Sequence, residues 1–257
     1  YRELLLPANE DGSYQLDKNA LHIWPRGKFM LIALPNEDGS FTCTLFMPST
    51  GKNSFEQLTS KEAVDTFFKT TFPDFYNMMP NVGEAWEDHP LASLAIVRCY
   101  PWTSGKVALM GDAAHATVPF YGQGMNAGFE DCSVMCDLMQ KHNEDWPKVF
   151  EEYQTLRKPD GDGVQDLSLH NYYVMRDYVG DPKFLLQKKI EAHFSAKHPD
   201  KWLPLYSQVT FSDIRYSVAW ETGQKQDAIM KNVMAQFDDI ENVWDSAAVE
   251  QAILAEI

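Results

Sequence analysis

The sequence predicts a mixed fold, α+β with an α/β-type unit inside it, in which strands come first and helices last. Three observations carry this. Period-two alternation dominates the first fifty residues, and helical periodicity dominates from Gly124 onward. Between them, a short buried strand, Val107 to Met110, runs through a Gly-rich turn into a helix. The expected organisation is a β-rich domain over 1–104, a strand–loop–helix unit over 105–141 and a helical region over 142–257.

Leu21 to Trp24 reads as a short strand and Phe29 to Leu34 as a longer one. Asn36 to Ser40 supplies turn chemistry, with Asp38-Gly39 suited to positive φ. A return strand follows to Phe46, with Phe41, Cys43 and Leu45 on one face and Thr42, Thr44 and Phe46 on the other. Ser60 is placed to cap a helix whose stripe is Val64, Phe67 and Phe68, and Pro73 marks its end. Leu91 to Tyr100 alternates like a strand. Helices are expected over Gly124 to Lys141 and Trp146 to Arg157, then after Pro159 through Val164, Leu167, Tyr172 and Met175. The segments Phe184 to Ile190, Val218 to Phe237 and Ala247 to Ile257 also read as helical.

The 257 residues are 44% hydrophobic, enough for a substantial core. The net charge of -15 argues against partners with phosphate backbones or anionic lipid surfaces, and leaves a small-molecule partner. No run of about 18 apolar residues suggests a membrane span, and no leader is expected. Cys43, Cys99, Cys132 and Cys136 form no Cys-x-x-Cys pair, so no metal is expected. They read as buried thiols of a reducing cytoplasm. The start at Tyr1-Arg-Glu, without Met, leads to the expectation of a piece of a longer protein.

The chemistry concentrates in Gly111-Asp-Ala-Ala-His115, Val118-Pro-Phe-Tyr121 and Gly122-Gln-Gly-Met-Asn126, ending at Asp131. A strand delivers Asp112 at its C-terminal end, where open α/β sheets place ligands. The helix start at Gly124 offers free amides and a positive dipole end to an oxygen bearing negative charge. Gly122 and Gly124 let backbone approach a flat ring. Gly122-x-Gly124-x-x-Ala127 also fits the dinucleotide fingerprint by letter. It follows no strand directly, and no acidic strand end comes about 20 residues later, so it is not read as the main pyrophosphate loop.

Gly111-Asp-Ala-Ala-His115 followed by Gly122-x-Gly-Met-Asn126 resembles the second flavin motif of the p-hydroxybenzoate-hydroxylase-like aromatic monooxygenases. Val118 to Asp131, Leu21 to Pro25, Ile32 to Asn36, Phe41 to Phe46 and Pro204 to Ser212 are similar to that family's kynurenine-hydroxylating branch. The resemblance implies a substrate-domain sheet joined to the C-terminal part of a Rossmann-like FAD domain. It also implies that the Gly-x-Gly-x-x-Gly half is absent from these residues. The implied activity is hydroxylation of L-kynurenine to 3-hydroxykynurenine with FAD, NADPH and O2, in a bacterial-type cytoplasmic protein without the membrane anchor of mitochondrial members. No side chain is implied as a catalytic group, because the flavin carries the chemistry.

By the same resemblance, Asp112 accepts from the ribityl chain of FAD. Gly124, Met125 and Asn126 hold the pyrimidine edge, and Pro119 and Gly122 complete the cofactor contact. Ile32, Leu34 and Phe46 form an apolar wall for the substrate ring, with Pro119, Phe120 and Gln123 between ring and flavin. Asn171 and Tyr206 bind the amino-acid carboxylate, and Met175 lines the pocket. His115 is expected to pack or hydrogen-bond rather than transfer a proton, and Tyr121 is given no chemistry. Two alternatives stay open: a hydroxylase of another anthranilate-like or phenolic acid, and a non-catalytic fragment that binds FAD poorly without the adenosine cradle.

Overall fold

A computed structural model describes residues 1–257, and the chain divides into two compact units. The first comprises 1–94 with 174–179, and the second comprises 95–173 with 180–257.

The first unit is built on a four-stranded antiparallel sheet of β1 (Arg2–Leu6), β2 (His22–Pro25), β3 (Met30–Pro35) and β4 (Phe41–Phe46), in the order β1-β4-β3-β2. The Asn36 to Ser40 turn sets the register of β3 against β4. Asp38 Oδ1 accepts from the Ser40 amide at 3.0 Å, and Gly39 sits at φ +89°. A Cβ there would also come within 2.6 Å of the Gly12 carbonyl. Ile32 consequently pairs with Thr44, and Leu34 with Thr42. Because side chains alternate across a strand, Leu31, Ala33, Phe41, Cys43 and Leu45 enter one core with Phe68, Phe72, Phe75 and Trp86. Met30, Ile32, Leu34 and Phe46 occupy the opposite face. Helix α1 (Lys61–Thr71) is capped by Ser60, whose side chain accepts from the Ala63 amide at 3.2 Å. Pro73 ends α1 and, lacking an amide hydrogen, takes the first position of α2 (Pro73–Met78).

The second unit contains β5 (Thr103–Ser104), β6 (Val107–Ala108), α3 (Asp112–His115), α4 (Gly124–Lys141), α5 (Trp146–Arg176), α6 (Pro182–Lys197), α7 (Leu205–Thr210), α8 (Tyr216–Ala235), α9 (Ile240–Val243) and α10 (Ala247–Glu256); the last turn of α5 is grouped with the first unit. Ile190, Phe194, Trp202, Met230, Val233 and Ile253 form one helical core. A second joins Tyr121, Ala127, Val164, Leu167 and Ala219.

The structure departs from the sequence reading in several places. Leu91 to Tyr100 forms no strand: Leu91, Leu94, Val97 and Tyr100 are exposed, and no neighbouring strand offers a ladder. It makes isolated backbone bonds, such as that from Val97 N–H to Ala116 O at 3.2 Å. The strand expected at 107–110 is reduced to β6, which pairs antiparallel with β5 alone. Residues 95–104, expected with the sheet, belong to the second unit, where the Trp102 indole donates to Cys99 O at 3.0 Å.

The two helices expected around Pro159 are one continuous helix, α5. Proline removes one amide donor. The helix is nevertheless held on both sides of it by Arg157 and Asp160, each only 2% exposed, in a buried ionic network. Cys132 and Cys136 are exposed on α4 rather than buried, whereas Cys43 lies in the core. Burial lifts the Cys43 thiol to about 12. No helix is long and apolar enough to cross a membrane, and no His, Cys, Asp and Glu cluster could hold a metal ion.

Candidate functional site

The strand end, Gly-rich turn and helix start fold into one concave surface in the second unit. Gly111 has φ +56° and ψ -137°, a backbone that an L side chain rarely adopts. It turns the chain from β6 into the single helical turn of α3. A second turn, Pro119 to Tyr121, ends on Gly122 at φ +67°, in the left-handed region. Gln123 then starts α4 without a side-chain cap, so the amides of Gly124, Met125 and Asn126 have no intrahelical acceptor.

These segments border an open pocket of about 500 Å³ lined by Gly111, Asp112, Thr117, Pro119, Gly122, Gly124, Met125 and Gly128. Half of that lining is glycine. Gly111 and Gly128 are backbone neighbours: a Cβ on Gly128 would lie 3.6 Å from Gly111 Cα, an ordinary van der Waals contact. Asp112 is exposed, and the Thr117 hydroxyl has no hydrogen-bond partner. A glycine-floored surface, an exposed carboxylate acceptor and a positive helix end fit a flat, electron-accepting ring that carries a hydroxylated chain. The residues present therefore fit a flavin.

Asp112, Pro119, Gly122, Gly124 and Met125, all named from the sequence as cofactor residues, line this pocket. Asn126 sits beside it with its side chain turned to Gln123, whose Oε1 accepts from Asn126 Nδ2 at 2.9 Å and from the Tyr216 phenol at 3.0 Å. Tyr216 was not legible as part of the site, lying 93 positions from its partner.

Beneath the pocket lies a buried ionic network. Asp131 is fully buried, and its Oδ2 accepts from the Gly111 amide at 2.9 Å and contacts His115 Nε2 at 2.7 Å. Its Oδ1 accepts from Arg157 Nε at 2.8 Å. Burial pushes the Asp131 carboxyl upward, but hydrogen bonds from His115, Arg157 and Gly111 outweigh it and hold the group below the ordinary carboxylate range. Arg157 also pairs with Asp160, which accepts from Arg215 and from the Ser217 hydroxyl. His115 is thus a buried hydrogen-bonding residue. The sequence marks Arg157 only as the expected end of a helix, between Leu156 and Lys158.

The substrate-side residues fall in both units. Ile32, Leu34 and Phe46 share the sheet face opposite the core of the first unit, with Leu34 46% exposed. Met175 is buried, in the 174–179 segment of that same unit. In the second unit, Asn171 Nδ2 donates to the Phe120 carbonyl at 2.7 Å, and the Phe120 ring packs on Tyr172 at 4.7 Å. Tyr206 is exposed, against the expectation of an apolar setting, and stacks on Tyr121 at 5.9 Å. Burial raises the Tyr121 phenol far above its ordinary value, and nearby Tyr206 adds to this, so Tyr121 stays neutral.

Comparison with known proteins places these residues among flavoprotein relatives. Residues 20–168 match the FAD binding domain family. The chain is 54% identical to kynurenine 3-monooxygenase of Flavobacterium johnsoniae over 99% of its own length and 57% of that protein's. It is 42% identical to the protein of that name from Dictyostelium discoideum, over 93% of this chain and 55% of that protein. The chain therefore spans a little over half the length of these relatives. Among solved structures, a tetrameric 2-methyl-3-hydroxypyridine-5-carboxylic acid oxygenase matches 68% of this chain and 47% of its own, at 19% identity and a TM-score of 0.51, which is a likeness of fold. The chain belongs to the FAD binding domain family, and its resemblance to kynurenine 3-monooxygenases runs through nearly its whole length.

Proposed function

We propose that this chain forms the isoalloxazine- and substrate-facing part of an FAD-dependent monooxygenase that converts L-kynurenine to 3-hydroxykynurenine, with NADPH as reductant and O2 as oxidant. The observation that carries the reading is the pocket between Gly111 and Gly128, where five of the six expected cofactor residues converge. The names of the relatives supply the substrate.

In this reading, Asp112 accepts hydrogen bonds from the hydroxyls of the ribityl chain. The amides at the start of α4 hold the ring's pyrimidine edge, where the helix dipole favours negative charge. Gly122 and Gly124 let that edge reach the backbone. Bound FAD supplies the activation of O2 and the delivery of one oxygen atom to the ring carbon ortho to the amino group. The protein positions the substrate and excludes water. Ile32, Leu34 and Phe46 provide an apolar face for the aniline ring. Pro119, Phe120 and Gln123 are assigned to the substrate as well as to the cofactor side, Asn171 and Tyr206 to the amino-acid carboxylate, and Met175 to the pocket lining. No side chain is required as nucleophile or metal ligand.

The test is NADPH consumption by the protein carrying this chain, with product analysis, across L-kynurenine, anthranilate and phenolic acids. Selective stimulation by L-kynurenine with formation of the 3-hydroxy product is expected. Stimulation by a phenolic acid but not by L-kynurenine contradicts the substrate assignment, and no flavin-dependent oxidation with any of them contradicts the enzyme class.

A further inference from the structure

The floor of the flavin pocket is fixed from behind by a single carboxylate. Asp131 lies on α4, two turns beyond the helix start that faces the pocket, and its Oδ2 accepts the Gly111 amide across 2.9 Å. Gly111, at positive φ, is the turn that immediately precedes the exposed Asp112. The two limbs of the pocket, the strand end and the helix, are thus tied beside the Gly111 and Gly128 contact. The tether is itself held: His115 approaches Oδ2 at 2.7 Å, and Arg157 donates to Oδ1 at 2.8 Å. Asp131 has no exposure, and His115 and Arg157 have 2% each, so water cannot replace a lost partner.

Fold stability alone does not explain this placement. A buried carboxylate is costly to desolvate, and an apolar group of similar size in that position would avoid the cost. What the carboxylate adds is direction. One oxygen holds the Gly111 amide at a turn that glycine adopts readily, and the other anchors to a guanidinium 26 positions away. The charge is neutralised locally by Arg157, leaving the exposed Asp112 as the carboxylate that meets the ligand.

We propose that Asp131 is a positioning residue for the flavin site: through the Gly111 amide, it fixes the angle at which Asp112 and the start of α4 meet the cofactor. The proposal rests on the reading of the Gly111 to Gly128 pocket as a flavin site. The positioning itself, however, is measurable without flavin.

The test compares the protein carrying this chain with its Asp131→Asn variant in two assays. Hydrogen–deuterium exchange of the peptide spanning 109–116 reports the tether. FAD titration followed by flavin fluorescence reports the pocket, with Asp112→Ala as the reference for a directly lost contact. The proposal expects faster exchange confined to 109–116, unchanged protection around Trp202 and Met230, and FAD affinity lowered by about tenfold or more, the scale of a lost charged hydrogen bond. Should Asp131→Asn fail to fold, Arg157→Gln leaves the carboxylate in place and removes one anchor, and a smaller change in the same direction is expected. Unchanged exchange at 109–116 overturns the proposal. Unchanged FAD affinity in Asp131→Asn, where Asp112→Ala weakens it, also overturns it and leaves the site reading intact. If Asp112→Ala is without effect, the site reading fails, and the exchange result alone decides whether Asp131 orders the turn.

Discussion

The Tyr216 phenol donates to the side-chain carbonyl of Gln123 over 3.0 Å, joining the first residue of α8 to the residue that starts α4. With Asn126 Nδ2 on the same oxygen, the Gln123 carbonyl carries two donors, and the amide nitrogen is left as the group that can donate elsewhere. Tyr216→Phe removes one donor from a buried acceptor. A loss of about 1 kcal/mol in stability is expected by urea denaturation. A change within error would show that the contact contributes nothing net.

Gly161→Ala tests packing against propensity in α5. In an open helix interior the change would stabilise by roughly 1 kcal/mol. Here the added Cβ would lie 2.6 Å from Trp102 Cη2, and Trp102 is only 1% exposed. Overpacking costs about 1–3 kcal/mol, so the variant is expected to be less stable than the parent. A raised denaturation midpoint would refute that accounting.

Asp131 makes one contribution to the pH dependence that a single substitution isolates. Its carboxyl is lowered in the folded state, so its contribution is fully present above the unfolded value, near 3.9. That contribution is lost as pH falls through the lower folded value. Between pH 5 and pH 2, Asp131→Asn is therefore expected to lose less stability than the parent. Parallel acid denaturation curves would contradict it.

Thiol reactivity should divide by burial. Cys132 and Cys136 are exposed on α4 and are expected to react quickly with a disulfide reagent. Cys43, buried and lifted to about 12, is expected to react only on unfolding. Rapid labelling of Cys43 in the folded chain would mean that the sheet core opens readily.

Asn171→Ala withdraws the 2.7 Å bond to the Phe120 carbonyl as well as any contact with substrate. The proposed function expects KM for L-kynurenine to rise with kcat largely kept, and Tyr206→Phe to act in the same direction. Unchanged steady-state kinetics in both would remove these residues from the substrate site.

Local signals were the most legible in the sequence. The Ser60 cap, the Asp38-Gly39 turn and the start of α4 at Gly124 each depend on residues a few positions apart, and the structure has all three. Elements that depend on distant partners were harder to read. The alternation of Leu91 to Tyr100 describes a strand only where a neighbour exists to pair with it. Pro159 ends a helix by local rules, yet α5 runs on through the ionic anchors at Arg157 and Asp160. Within the site, the lining residues were legible because they form one contiguous motif. The tethers from Arg157 and Tyr216 were not, since only the fold brings them to Asp131 and Gln123.

The most direct test of the flavin reading is the mapping of backbone amide shifts while FAD is titrated into the labelled protein carrying this chain, which detects weak binding as well as tight. The largest shifts are expected at Gly111, Asp112, Gly122 and Gly124 to Asn126. Shifts confined to other parts of the chain, or none at saturating FAD, would contradict the account.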